Sequence, residues 1–125
     1  MSRVTLDTGA LIALERRRPR MWKVLHRART LGVLPVVPAD VVAEWWRGRR
    51  DVREHILASV VVEPLTDALA RLAGECLAVV TGATTIDAIV MASAARHGDA
   101  VYTSEVGDLE RLRAFFPGVR VFGVS

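Results

Sequence analysis

Apolar positions change their spacing several times along the chain, and each change marks an element. RVTLD from Arg3 is a short run of β-branched and apolar residues closed by a carboxylate, and it predicts a strand. TGALIALERR follows with helical spacing, so strand passes to helix at Asp7. MWKVLHRARTLG is a second helix stopped by Gly32, and VLPVVP a second strand that Pro35 places near a sheet edge. Asp40 is the expected N-cap of a helix over VVAEWWRG, followed by a shorter helical piece, DVREHILA. VVVEPL from Val60 predicts a third strand. From Thr66 the apolar residues Leu69, Leu72, Ala73, Cys76, Leu77 and Val80 fall on one helical stripe, with Arg71 and Glu75 paired outside and Gly82 as the stop. TTIDAIVMASAARHG from Thr84 predicts another helix, AVYTS a strand, DLERLRAFF a helix stopped by Pro117 and Gly118, and VRVFGV a last strand. Strands alternating with helices imply the α/β class, with a parallel sheet of four to five strands covered on both faces.

The 125 residues suit one domain, expected to span residues 1–125, and 51% hydrophobic content can fill one core. The longest stretch free of charge is the 11 residues from Cys76 to Ile86, far short of the roughly 18 needed to cross a bilayer, so a soluble protein without membrane contact is expected. Asp7 and Glu15 break the apolar residues too early for a signal-peptide core, and Cys76 has no second cysteine to pair with, which together favour the cytoplasm. Basic residues outnumber acidic ones by 17 to 14, and 16 of the 17 are arginine. They cluster as RRRPR at Arg16–Arg20 and RGRRDVR at Arg47–Arg53. Such clusters serve equally as solvated faces or as grips for phosphate.

The acids carry the chemistry. In open parallel α/β sheets ligands lie outside the carboxyl ends of the strands. Asp7 closes the first strand, Glu105 follows AVYT at once, and Asp108 comes about a turn later. Asp87 stands at the head of a helix that carries no other charge until Arg96, and Glu44 sits among Val41, Val42, Trp45 and Trp46, which leave it little solvent-facing arc. Each has a structural role open to it: Thr84 and Asp87 fit a capping box, Asp7 suits the cap of the helix from Thr8, and Asp108 suits that of the helix containing Leu109. Brought together, however, two carboxylates about 4 Å apart repel by roughly 4 kcal/mol at an effective dielectric near 20, against a total domain stability of about 5–15 kcal/mol. Several in one pocket must be partly protonated or hold a cation. An all-oxygen set suits Mg²⁺ or Mn²⁺, and a divalent ion there implies phosphodiester hydrolysis. Without Asp7, Glu44, Asp87, Glu105 and Asp108 the chain keeps 17 basic and nine acidic residues, an acidic hole in a basic body that attracts a polyanion.

LDTGALIAL at Leu6, AEWW around Glu44, IDAIVMASAARHG around Asp87 and YTSEVGDLERL from Tyr102 together resemble the PIN-domain family, most closely the VapC toxins of bacterial toxin–antitoxin pairs, in the family's order and spacing. The resemblance implies a three-layer sandwich around the parallel sheet, Mg²⁺- or Mn²⁺-dependent endoribonuclease activity on RNA, a homodimer, and inhibition by a cognate antitoxin protein. Carried over by position, Asp7 and Asp87 match the two principal metal ligands, Glu44 the acid completing the first site and Asp108 the acid bounding it. Thr8 and Ser104 match pocket-lining hydroxyls. Glu105 departs from the usual aspartate, and its extra methylene moves the carboxylate outward.

Other chemistries fit less well. A phosphoacceptor receiver domain needs a lysine at a late strand, whereas the only lysine is Lys23. A haloacid-dehalogenase-type phosphatase needs a second aspartate where Gly9 stands, and no serine lies in a G-x-S-x-G turn. His26, His55 and His97 lack zinc spacings and are expected at the surface, and Trp22, Trp45 and Trp46 are expected to pack. The alternative of another class is a non-catalytic basic module with a degenerate PIN fold that binds RNA or protein. It explains the arginines but not the acids, since added negative charge weakens phosphate binding.

Overall fold

The computed structural model describes residues 3–125. Its elements are β1 (Thr5–Leu6), α1 (Thr8–Glu15), α2 (Pro19–Leu31), β2 (Val36–Pro38), α3 (Ala39–Trp45), α4 (Asp51–Leu57), β3 (Val61–Glu63), α5 (Asp67–Val79), α6 (Thr85–His97), β4 (Ala100–Thr103), α7 (Val106–Arg111) with a 3-10 turn at Leu112–Ala114, and β5 (Arg120–Gly123). The five strands form one sheet in the order β3-β2-β1-β4-β5, every pair parallel. The chain therefore builds outward from β1 on one side and then returns to build outward on the other. Where that order reverses, between β1 and β4, the connections leave in opposite directions and open a crevice at the carboxyl ends of the strands.

Helix α6 crosses β1, β2 and β4, and α5 packs along its outer side. Ala88, Ile89, Val90, Met91, Ala92, Ser93 and Ala94 are all buried, which explains why the interior of this helix carries no charge: it has no solvent face for most of its length. Small alanines let sheet and neighbouring helix approach it from different sides. Helix α5, by contrast, buries only the stripe Leu69, Ala73 and Cys76. Helix α1 packs over β1 and β4, with α2, α3 and α4 beside it. Glu15 ties three of these helices together, accepting from Trp45 Nε1 and from Arg53 Nε, each at 3.0 Å. The tryptophans pack as expected: Trp45 is buried, and Trp22 donates its indole N–H to the Leu14 carbonyl at 3.0 Å. Gly32 closes α2 at φ 70°, the left-handed conformation a glycine cap supplies.

Several local expectations give way to packing. Strand β2 is next to the edge strand β3 but is not itself an edge, since β1 pairs on its other side. Pro35 is tolerated because it precedes the first paired residue and offers its carbonyl to Val61 N–H at 2.8 Å, so its missing donor is never required. Helix α3 starts one residue earlier than Asp40, with Pro38 as N-cap; Asp40 falls in the first turn and caps nothing through its side chain. Asp108 likewise lies in the first turn of α7, whose N-cap position is Glu105. Arg71 reaches back to Asp67 at 3.0 Å instead of forward to Glu75. Helix α5 ends at Val79, before Gly82. Among the described residues no helix is long and apolar enough to cross a membrane.

Candidate active site

Asp7 leaves β1 at the switch point and becomes the N-cap of α1, its Oδ1 accepting from Ala10 N–H at 3.1 Å. It is buried, only 7% exposed. Thr103, the last residue of β4, hydrogen-bonds the same carboxylate through its hydroxyl, and that hydroxyl also accepts from Glu105 N–H at 2.8 Å. One threonine thus fixes both Asp7 and the turn that presents Ser104 and Glu105. Neighbouring strands place them together, since Leu6 is in register with Tyr102.

Asp87 enters from α6, whose N-cap Thr84 accepts from Asp87 N–H at 3.1 Å. Only this half of a capping box is formed by the backbone, which leaves the Asp87 carboxylate directed to the crevice. Glu44 enters from α3 and accepts a hydrogen bond from the Thr8 hydroxyl, which clamps α3 to the first turn of α1. It is more exposed than its apolar neighbours suggested, because α3 covers only the Val41 and Trp45 side of the helix. Asp108 and Glu105 enter from α7 and its preceding turn, both exposed. All five acids, with Thr8 and Ser104, line one cavity of about 340 Å³.

The electrostatics follow from this crowding. Burial, above all, pushes the Asp7 carboxyl up to about 6, against its hydrogen bonds from Thr103 and Ala10, and the Asp87 charge adds to the rise. Asp87 is also raised, first by burial and then, after the opposing Thr84 hydroxyl, by the charges of Asp108, Glu44 and Glu105. Both shifts say first that these carboxylates lose water on burial, and second that neighbouring acids add to the cost of ionising them. The donors are all oxygen, the set preferred by hard divalent ions. As the side chains stand, no three His, Cys, Asp or Glu among the described residues are close enough to form a ready ligand cage. That arrangement still fits Mg²⁺, which keeps several waters and takes only one or two carboxylates directly.

Gly9 is a requirement of this geometry. A Cβ at that position would collide with Ser104 Oγ and lie 2.8 Å from the Ser104 backbone nitrogen, so only glycine lets α1 meet the β4 turn. Composition and spacing did not single out Thr103, nor a second polar cluster on the far part of α6. There Glu63 accepts from Ser93 Oγ at 2.7 Å and pairs with His97 Nε2 at 2.5 Å, so His97 is half-buried and not a free surface residue. Asp40 stands near this cluster with both carboxylate oxygens buried and unpartnered, and burial first, then the Glu44 and Glu63 charges, raise its pKa. Only the β3 and α6 neighbours, distant in sequence, reveal these contacts.

The architecture has close solved counterparts. A chain of DNA-bound VapBC from Salmonella typhimurium superposes with a TM-score of 0.74 over 100% of both chains at 16% identity. A chain of VapBC2 from Rickettsia felis, bound to a DNA fragment from their promoter, gives 0.73 over 96% of this chain and 97% of that one at 11% identity. A chain of FitAcB from Neisseria gonorrhoeae gives 0.63 over 95% and 96% at 20% identity. The chain has a PIN-like fold. No protein-family model and no curated protein matches the sequence, so the likeness lies in the fold and not in overall residue identity. Within the PIN-like sheet, the five acids occupy the crevice that the strand order creates.

Proposed function

We propose that the protein is a metal-dependent endoribonuclease and the toxin of a VapBC-type toxin–antitoxin pair. The observation that carries this reading is the convergence of five carboxylates on one cavity, with Asp7 buried and its pKa raised to about 6. A non-catalytic fold gains nothing from such repulsion, whereas a cation site uses it. The VapBC and FitAcB structures of the same fold support the assignment to toxin–antitoxin systems.

In this reading Asp7 and Asp87 hold Mg²⁺ or Mn²⁺, with Glu44, Asp108 and Glu105 completing the negative field around it. When bound, the ion polarises a phosphoryl oxygen and neutralises charge on the leaving oxygen. Thr103 keeps the Asp7 carboxylate oriented, and the Thr8 hydroxyl does the same for Glu44. Asp108 has an exposed carboxylate facing the cavity and accepts the proton of the attacking water. The partners are an RNA substrate, a second copy of the chain and an antitoxin. The exposed Val61 and Val62 of edge strand β3, with Val79 of α5, are apolar surface suited to a protein partner.

The test is incubation of purified protein with structured RNAs, with and without Mn²⁺, beside Asp87→Asn. Cleavage that requires Mn²⁺ and is lost in the variant is expected, together with a Mn²⁺-induced rise in Tm of the wild type. Equal cleavage by both proteins identifies a contaminating nuclease. No cleavage and no Tm shift leave the non-catalytic basic module.

A further inference from the structure

A larger cavity, about 580 Å³, opens beside the acidic one and shares with it the wall made by Gly9, Ile12 and Ser104. Arg16, Arg18 and Arg20, from the connection between α1 and α2 and the start of α2, also line it, together with Pro19, Val124 and Ser125. The backbone explains how three arginines of one short segment reach one space. Arg16 is the C-cap of α1 and Arg18 the N-cap of α2, while Arg17 between them is held at φ 58° and lines a different cavity with Trp22 and His55. That reversal turns Arg17 out of the cavity that Arg16 and Arg18 share.

Arg20 is fixed in place. Its Nε donates to the Gly123 carbonyl at 3.0 Å, and its guanidinium lies 5.9 Å from the centre of the Tyr102 ring. Among the described residues four arginines find acids, Arg49 and Arg53 with Glu54 and Glu15, and Arg71 and Arg113 with Asp67 and Glu110. Among the described residues none of Arg16, Arg18 and Arg20 forms an ion pair. Three unpaired cations around one cavity form a site for anions. An acidic peptide filling this cavity would run on into the acids next door and be repelled. A phosphodiester strand would not, provided those acids hold the divalent ion of the proposed function, which would meet its phosphate.

We infer that Arg16, Arg18 and Arg20 form a phosphate subsite that grips a nucleic-acid backbone at a nucleotide flanking the bond presented to the acids. The strand then runs from one cavity to the other across Ile12 and the Ser104 hydroxyl. The direction of the strand and the preference for a phosphodiester over an acidic peptide rest on the nuclease reading; the affinity of the arginine cavity for an anionic backbone does not.

The experiment measures equilibrium binding in the non-cleaving Asp7→Asn background, using a fluorescein-labelled 12-nucleotide RNA, a DNA of the same sequence and a dinucleotide. Adding Arg16→Ala and Arg18→Ala is expected to weaken the 12-nucleotide RNA about tenfold at moderate salt. It should also flatten the slope of log affinity against log salt by about 0.7, as expected for one lost phosphate contact on a single strand. Dinucleotide binding should not change, and DNA should follow RNA, since backbone contacts do not read the sugar. Arg27→Ala with Arg29→Ala, which removes the same charge from α2, should cost much less. Equal losses from both pairs, or no loss from the first, overturn the subsite, as does displacement of the RNA by polyglutamate of matched charge. A thermal melt confirms that each variant is folded. The two readings fail separately: binding losses without any Mn²⁺-dependent cleavage by wild type keep the subsite and reject the nuclease, and the reverse pattern rejects only the subsite.

Discussion

Asp7 does three things with one carboxylate. It ends β1, caps α1 through Ala10 N–H, and supplies a buried charge at the crevice. The first two satisfy the backbone; the third costs stability. Because its carboxyl titrates near 6 in the folded protein against 3.8 unfolded, the folded state holds this proton more tightly. The stability that protonation contributes is complete below 3.8 and is lost as pH rises through about 6. A difference of that size between the folded and unfolded chain corresponds to roughly 3 kcal/mol. In EDTA, Asp7→Asn keeps an acceptor for the Ala10 amide and removes the charge. It should therefore raise Tm by several degrees at pH 8 and hardly at all at pH 4. With saturating Mn²⁺ at pH 8 the order should reverse, because only the wild type gains a ligand. Thermal melts across the four conditions check both halves, and a variant less stable than wild type in EDTA at pH 8 contradicts the assignment of strain to this carboxylate.

At the scale of elements, the site is made by approach distances. Helix α1 meets the turn after β4 only because Gly9 has no Cβ to strike Ser104. Gly9→Ala must push back a backbone nitrogen and not just a flexible side chain, so a cost of roughly 1–3 kcal/mol is expected. The displaced turn carries Glu105, whose N–H is held by the Thr103 hydroxyl that also orients Asp7. Metal-dependent cleavage should fall more than stability alone explains, which a comparison of kcat with Tm will show; a variant with lowered Tm and unchanged kcat would mean the turn is not part of the site. Helix α6 shows the complementary logic. Its length is buried, so charge is excluded from its middle and appears at Asp87, where the first turn emerges at the strand ends, and again at Arg96 and His97 in its last turn.

Over the whole molecule, an acidic cavity with an arginine-lined cavity beside it lies in a chain of net positive charge, and the balance sets how a polyanion arrives. If the nuclease reading holds, kcat/KM for RNA should fall steeply between about 50 and 200 mM salt, roughly as expected for several phosphate contacts, while the Mn²⁺-induced Tm shift changes far less. Similar salt responses in both would place the charges outside the binding step. Much of this arrangement was readable from residue order. The alternation of strands and helices, the cap at Asp7, the buried stripe of α5 and the uncharged interior of α6 all follow from periodicity and local capping, which act over a few residues. Four of the candidate acids were readable for the same reason, lying at or near a strand or helix end, and Glu44 stood out as a lone acid among apolar and aromatic neighbours. What the order of residues left open needed neighbours from distant segments. Pro35 gave no sign that β3 would pair outside β2, because pairing is decided by where chains meet in space. Thr103 as the partner of Asp7, and Ser93 and His97 as partners of Glu63, depend on register between elements. Local sequence fixes which groups stand at the ends of elements through short-range backbone sterics and hydrogen bonds. The folded core alone sets how near those ends come to one another, and the charges of the site act through that nearness.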